Sequence, residues 1–197
     1  MLNNNQNHLD IGCGAKPRNP YGYSNLYGID IYQDNALPSD IIFKLANLTT
    51  QAIPFEDNTF DSISAFDFIE HVPRVLAMGN LTRFPFVELM NEAWRVLKPN
   101  GLLYAQTPAY PHPAAFQDPT HVNFITNKTH KYFCGAKPEA AIYGFKGQFE
   151  VVQVKWIRGE RESIQLSAWE KIKIGFRRIT FRKKSNSHLL WELRAIK

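Results

Sequence analysis

The 197-residue chain has only two cysteines, Cys13 and Cys134. They can build neither a disulfide framework nor a zinc motif, and such sparing use fits a reducing cytoplasm. No apolar run approaches the roughly 20 residues that a membrane-spanning helix needs. The N-terminus, MLNNNQNH, lacks a basic region followed by an apolar one, so no cleaved signal is expected. Internal repeats and low-complexity segments are missing too, which leaves a single domain over 1–197 as the expectation. Excess acidic charge is absent where the chain ends. Residues 1–150 hold 11 Lys and Arg against 14 Asp and Glu, whereas 151–197 hold 12 against 4. The net charge of +5 therefore belongs to the C-terminal end.

What is present starts with LDIGCGAKP at residues 9–17. A short apolar run carrying Asp10 feeds directly into Gly12-Cys13-Gly14. This is the pattern of a buried strand ending in a turn whose backbone must approach a ligand, where glycine accepts positive φ and presents no Cβ. Further short apolar runs at 26–31, 40–46, 60–66 and 101–107 read as strands buried on both faces. Helical spacing of Phe86, Leu89, Ala93 and Val96 predicts a helix over 82–98, capped by Asn80 or Thr82 and stopped by Lys98-Pro99-Asn100-Gly101. Two late strands are expected at 147–157 and 188–196. The alternation predicts an open, doubly wound α/β sheet with short early crossovers. Residues 108–148 are long, rich in Pro and His and without a period, as expected of a lid over the acceptor site.

Three ligands compete for the glycine turn. A dinucleotide motif needs a third glycine where this chain has Pro17, and a phosphate loop needs a Gly-Lys-Ser/Thr ending that is missing. The third candidate is a nucleoside cofactor without phosphates, its ribose held by an acid at the end of the next strand. Asp30 supplies that acid. The bland alternative is a tight turn that binds nothing.

LDIGCGAKP, YGIDI, IPFEDNTFDSISAFDFIEHV and ELMNEAWRVLKPNGLLYAQTP, in this order over residues 9–108, resemble the class I S-adenosylmethionine-dependent methyltransferases. The resemblance implies a Rossmann-like sheet of seven strands with the last antiparallel. It implies S-adenosylmethionine as cofactor and S-adenosylhomocysteine as product. Asp10, Gly12 and Gly14 would surround the methionine moiety, Asp30 and Ile31 the ribose, and Phe66 and Asp67 the ammonium and sulfonium side. Asn47-Leu48 stands where many members place Asp-Leu beside the adenine; an amide oxygen can still accept from its amino group. Ala15 replaces a frequent third glycine.

Methyl transfer needs a base only when the acceptor must lose a proton, as a hydroxyl does. The Asp118-Pro119-Thr120-His121 segment is similar to one in small methyltransferases found among polysaccharide-modifying genes. Asp118 could orient His121 as base or acceptor-binding group, or Asp118-Pro119-Thr120 could form a structural turn with His121 packed locally. A divalent metal on His112, Asp118 and His121 is the third reading, disfavoured because no fourth ligand is evident. No metal is expected on this basis. His71 is a second candidate base; with Glu70, it could equally be a surface polar residue. The expected activity is O-methylation of a small-molecule or carbohydrate-linked acceptor.

Residues 158–184 carry nine Lys and Arg between the last two strands, with Trp169, Ile172, Phe176 and Ile179 at helical spacing. They read as a solvated helix, or as a surface for membrane headgroups, phosphorylated glycans or nucleic acid. Modification of RNA or another macromolecule through this stretch is the alternative activity. A non-catalytic, cofactor-binding partner subunit is the other.

Overall fold

The computed structural model describes residues 6–159 and 186–197. Seven strands form one sheet: β1 (Asn7–Ile11), β2 (Asn25–Asp30), β3 (Ile42–Leu45), β4 (Phe60–Phe66), β7 (Leu97–Pro108), β8 (Phe149–Ile157) and β9 (His188–Ala195). Their order across the sheet is β3-β2-β1-β4-β7-β9-β8. β1, β2, β3, β4 and β7 pair in parallel, and β9 runs antiparallel between β7 and β8. A separate hairpin joins β5 (Leu76–Met78) to β6 (Leu81–Arg83). This is the mixed α/β sheet expected, with its chain reversal at β1, where the order turns from β2 toward β4.

Alternation along the strands gives the sheet two unlike faces. Leu9, Ile11, Ile63, Ala65, Leu103 and Ala105 are buried on one face. Helix α1 (Pro85–Val96) covers them with Leu89, Met90 and Ala93. Buried Trp191, opposite Ala105 in the register, extends this layer onto β9. The other face carries buried polar groups, His8, Asp10, Ser62 and Ser64, under the loop that follows β1. Arg18 of that loop stacks its guanidinium over the Phe66 ring, 4.6 Å from the centroid. Early crossovers are short, and no α-helix is described before α1.

The expected start of the helix needs correction. α1 begins at Pro85 behind Phe84, whose side chain has no acceptor to cap it; proline at the first position has no N–H to satisfy, and the Phe86 amide donates to Pro73 O at 3.0 Å. Asn80 and Thr82 lie instead in the β5–β6 hairpin, where Thr82 pairs with Ala77. Lys98-Pro99-Asn100-Gly101 follows the helix end at Val96, as expected of a stop, and is itself part of β7. There, the register against β4 jumps from Leu97 to Leu102, and Asn100 has φ +65°.

Residues 108–148 contain α2 (Ala114–Gln117) and two 3-10 turns, Thr129–Phe133 and Glu139–Tyr143. Ile125, Phe133, Ala140 and Phe145 are buried in the main core, while Phe116, Val122 and Phe124 are exposed. Of the basic stretch 158–184, Arg158 and Gly159 are described and 160–184 lie outside the described residues. No described helix is long and apolar enough to cross a membrane.

Candidate functional site

β1 delivers the chain into the glycine turn, which is clamped to β2. The Gly12 and Cys13 amides both donate to Ile29 O, at 2.8 and 3.1 Å. Gly12 has φ +68° and Gly14 φ +53°, conformations that side-chain-bearing residues rarely adopt. A Cβ on Gly12 would lie 2.5 Å from Phe68 Cδ2, whereas one on Gly14 would meet nothing within 4 Å. Gly12 is therefore fixed by packing and conformation, while Gly14 borders open space.

Asp30 closes the turn from the end of β2. Its Oδ2 accepts from the Gly14 amide at 2.9 Å, and its Oδ1 accepts from the Ile31 and Tyr32 amides at 2.7 and 3.3 Å. These bonds hold a partly exposed carboxylate in one orientation. Oδ2 keeps a lone pair for one ribose hydroxyl, and Oδ1 can take the other only in place of the long Tyr32 bond. Ile31 and Tyr32 stand exposed beside it.

Asp10 is placed differently from the sequence expectation. It is buried, its Oδ1 accepting from Ser64 Oγ at 2.5 Å and its Oδ2 from the Arg18 amide at 2.8 Å. Burial pushes its carboxyl up to about 6. His8 lies in the same network. Arg18 O can only accept, so His8 Nε2 carries the proton, and Nδ1 accepts from Ser62 Oγ at 2.6 Å. Burial lowers this imidazole to about 4, so it is neutral at physiological pH. Asp10 thus braces the loop from beneath.

Asn47 is exposed and spends Oδ1 on the Thr49 amide at 3.0 Å, while Leu48 beside it is buried. At the end of β4, Phe66 is buried against Tyr104, and Asp67 turns with φ +49°. His188 Nε2 lies 3.1 Å from Asp67 Oδ1. The ring N–H is not directed at that oxygen, which makes no hydrogen bond.

A short 3-10 turn, Ile69–His71, follows and carries the main surprise. Glu70 is 1% exposed, and burial pushes its carboxyl up to about 8. Oε2 accepts from Thr107 Oγ1 at 2.9 Å, and Oε1 has no hydrogen-bond partner. The Val122 and Asn123 amides both donate to Glu70 O at 2.9 Å, strapping the 118–123 segment against this turn. His121 Nε2 consequently lies 4.0 Å from Glu70 Oε1, and the rings of His71 and His121 meet edge to face at 4.9 Å.

The Asp118 carboxylate makes no hydrogen bond to the His121 ring; the bond between the two residues runs from the His121 amide to Asp118 O, at 3.1 Å. Asp118 Oδ1 accepts from the Thr120 amide and hydroxyl, at 2.8 and 2.6 Å, the local turn that was one of the sequence alternatives. The Thr120 hydroxyl and amide hold this carboxyl below the usual carboxylate range. Thr120 Oγ1 in turn lies 3.0 Å from His71 Nδ1, so Asp118 reaches His71 rather than His121. His112 accepts from the Ala114 amide at its own helix start and joins no cluster. The sequence reading missed Glu70 as a site residue; its one signal was an acid inside the apolar run FDFIEHV.

The comparisons with known proteins agree with this geometry. The model of the methyltransferase domain family matches residues 9–105, the span from the glycine turn into β7. The chain belongs to the class I S-adenosylmethionine-dependent methyltransferases. A S-adenosylmethionine-dependent methyltransferase from Archaeoglobus fulgidus is 15% identical, with TM-score 0.57 over 96% of this chain and 86% of that one. The N-methyltransferase NodS from Bradyrhizobium japonicum, solved with S-adenosylhomocysteine, is 16% identical, with TM-score 0.54 over 98% and 79%. The complex of the Haloferax volcanii Trm112 methyltransferase activator with a methyltransferase gives 16% identity and TM-score 0.57 over 98% and 83%. No curated protein sequence matches.

The cofactor of this methyltransferase is S-adenosylmethionine. The turn fits it: Gly14 opens on unfilled space, Gly12 leaves no room for a Cβ, and Asp30 is oriented at the strand end. A cavity of about 430 Å³ lies elsewhere, between α1 and residues 48–53, lined by Glu88, Trp94, Arg95 and Lys146. Of the residues expected to hold the cofactor it includes Leu48 alone, so it is not the methyl-donor site.

Proposed function

We propose that this methyltransferase transfers its methyl group to a hydroxyl oxygen of a small-molecule or carbohydrate-linked acceptor. One observation carries the reading: His71, His121 and the unpartnered Oε1 of buried Glu70 gather immediately after the β4 end, on the side expected for the sulfonium. Proton-accepting groups there are needed by a hydroxyl and dispensable for an acceptor that attacks already deprotonated.

S-adenosylmethionine supplies an electrophilic methyl on a sulfonium, so holding the acceptor in line yields much of the rate. Gly12, Gly14 and Asp30 hold the donor; Phe66 and Asp67 border its reacting end. The acceptor hydroxyl lies against His71 and His121, and residues 108–148 fold over it as the lid. Exposed Tyr110, Phe116 and Phe124, packed ring against ring, offer an apolar wall for a sugar or other small acceptor.

Tritiated methyl transfer into fractionated cell extract tests the acceptor. Alkali-stable label in small-molecule or glycan fractions is the expected result. Label confined to RNA or protein would overturn the reading. His121→Ala is expected to lower turnover by roughly 10²-fold or more while cofactor affinity is nearly unchanged. Equal loss of cofactor binding and folding would make His121 structural.

A further inference from the structure

Among the described residues, one ligand-type atom from each of Glu70, His71 and His121 lies within 4.8 Å of the other two. Proximity alone is weak evidence, and the hydrogen-bond network adds the argument. Ala115 O can only accept, and His121 Nδ1 lies 3.2 Å from it, so the proton is on Nδ1 and Nε2 keeps its lone pair. That Nε2 is the atom 4.0 Å from Glu70 Oε1. His71 is settled by the same logic. The Thr120 hydroxyl gives its one proton to Asp118 Oδ1, so its oxygen must accept from His71 Nδ1–H. His71 Nε2 is left bare. The third group, Glu70 Oε1, is buried with no donor at all.

Two imidazole lone pairs and the partnerless Oε1 of a buried carboxyl thus gather in one small space, a grouping that favours a cation or a shared proton there. Both imidazoles are also held by their far nitrogens, one through a backbone carbonyl and the other through a Thr–Asp relay. This is how metal-binding histidines are oriented. We propose that Glu70, His71 and His121 bind a divalent first-row transition-metal ion, whose open positions take an oxygen of the methyl acceptor. Two imidazoles and one carboxylate suit such ions and leave coordination sites free. Bonds of about 2.0–2.2 Å bring ligand atoms to roughly 3–3.5 Å from one another, so the cluster must contract slightly on binding. Half-exposed His71 has the freedom to do so. The acceptor part of the proposal rests on the hydroxyl reading above and replaces a bare histidine base with a cation that acidifies the hydroxyl. It also displaces the sequence expectation of no metal, which had considered His112 and Asp118 as ligands instead.

The test is a titration of the chelator-stripped full chain with CoCl2, followed by visible absorption and calorimetry. Wild type is expected to take up a single ion per chain with a saturating absorption band. Glu70→Gln, His71→Ala and His121→Ala should each weaken uptake by tenfold or more. All three should retain the melting shift given by S-adenosylhomocysteine, which reports that fold and donor site are intact. If Glu70→Gln does not fold, His71→Ala carries the test from the solvent side. No saturable uptake by wild type, or uptake unchanged in His71→Ala and His121→Ala, would overturn the metal site. An effect of His121→Ala on turnover without cobalt uptake would overturn the metal and leave the hydroxyl acceptor standing.

Discussion

Asp30→Ala is expected to abolish the rise in melting temperature that saturating S-adenosylhomocysteine gives the wild-type chain. The carboxylate has two tasks, and alanine removes both. It accepts from the Gly14, Ile31 and Tyr32 amides, so it sets the shape of the turn and the strand end together. In the proposed donor site it also accepts from the ribose hydroxyls. A hydrogen bond to a charged group contributes about 1.5–3 kcal/mol. Losing two from the ribose alone weakens binding by roughly 10²–10⁴-fold, and loss of the preset turn adds to this. Asp30→Asn removes less: its one amide oxygen can accept from Gly14 or from Ile31 and Tyr32 but not from both, so the charge and part of the turn's bonds are lost while one acceptor remains. Calorimetric titration should place it between wild type and alanine. An undiminished shift in Asp30→Ala would remove the ribose from this strand end.

Gly12→Ala is expected to cost about 2–5 kcal/mol of stability, read from chemical denaturation. Two independent penalties add. A left-handed conformation costs an alanine about 1–2 kcal/mol, and Gly12 has φ +68°. Its new Cβ would also press on the Phe68 ring from 2.5 Å, and overpacking of this kind costs about 1–3 kcal/mol. Gly14→Ala supplies the comparison. Its φ of +53° carries the conformational cost, but nothing stands within 4 Å of the added carbon. It should lose clearly less stability than Gly12→Ala while still obstructing the cofactor. In Gly12→Ala/Phe68→Ala the steric share disappears, so the double variant should be more stable than the sum of the single losses implies. Strict additivity would mean that Phe68 yields freely and conformation alone constrains Gly12.

Much of this architecture was legible because it is local. Each sheet strand is an apolar run of a few residues between turn formers, and the observed bounds fall near those runs. The glycine turn and Asp30 are equally local, one strand ending and the next answering it. The hairpin over Leu76–Arg83 was not legible, since its three-residue strands pair only with each other and expose Met78 and Leu81. Phe84-Pro85 starting the helix was missed because Asn80 and Thr82 are better caps in isolation. The acceptor side failed for a different reason. Glu70 is enclosed where Val122 and Asn123 return to its carbonyl across some fifty residues of sequence and Thr107 meets its carboxyl. Asp118 was naturally paired with His121, three residues on, yet Thr120 takes its carboxylate and passes the contact to His71. Contacts closed by a distant return of the chain leave no periodic trace.

Amide hydrogen exchange with and without saturating S-adenosylhomocysteine tests the donor site most directly. The expected result is slowed exchange in peptides covering the glycine turn, 9–17, and the end of β2, 26–33, where the Gly14, Ile31 and Tyr32 amides hold Asp30. Protection confined to Glu88–Arg95 and the neighbourhood of Lys146, around the cavity beside α1, would contradict it and move the methyl donor to the other face of the sheet.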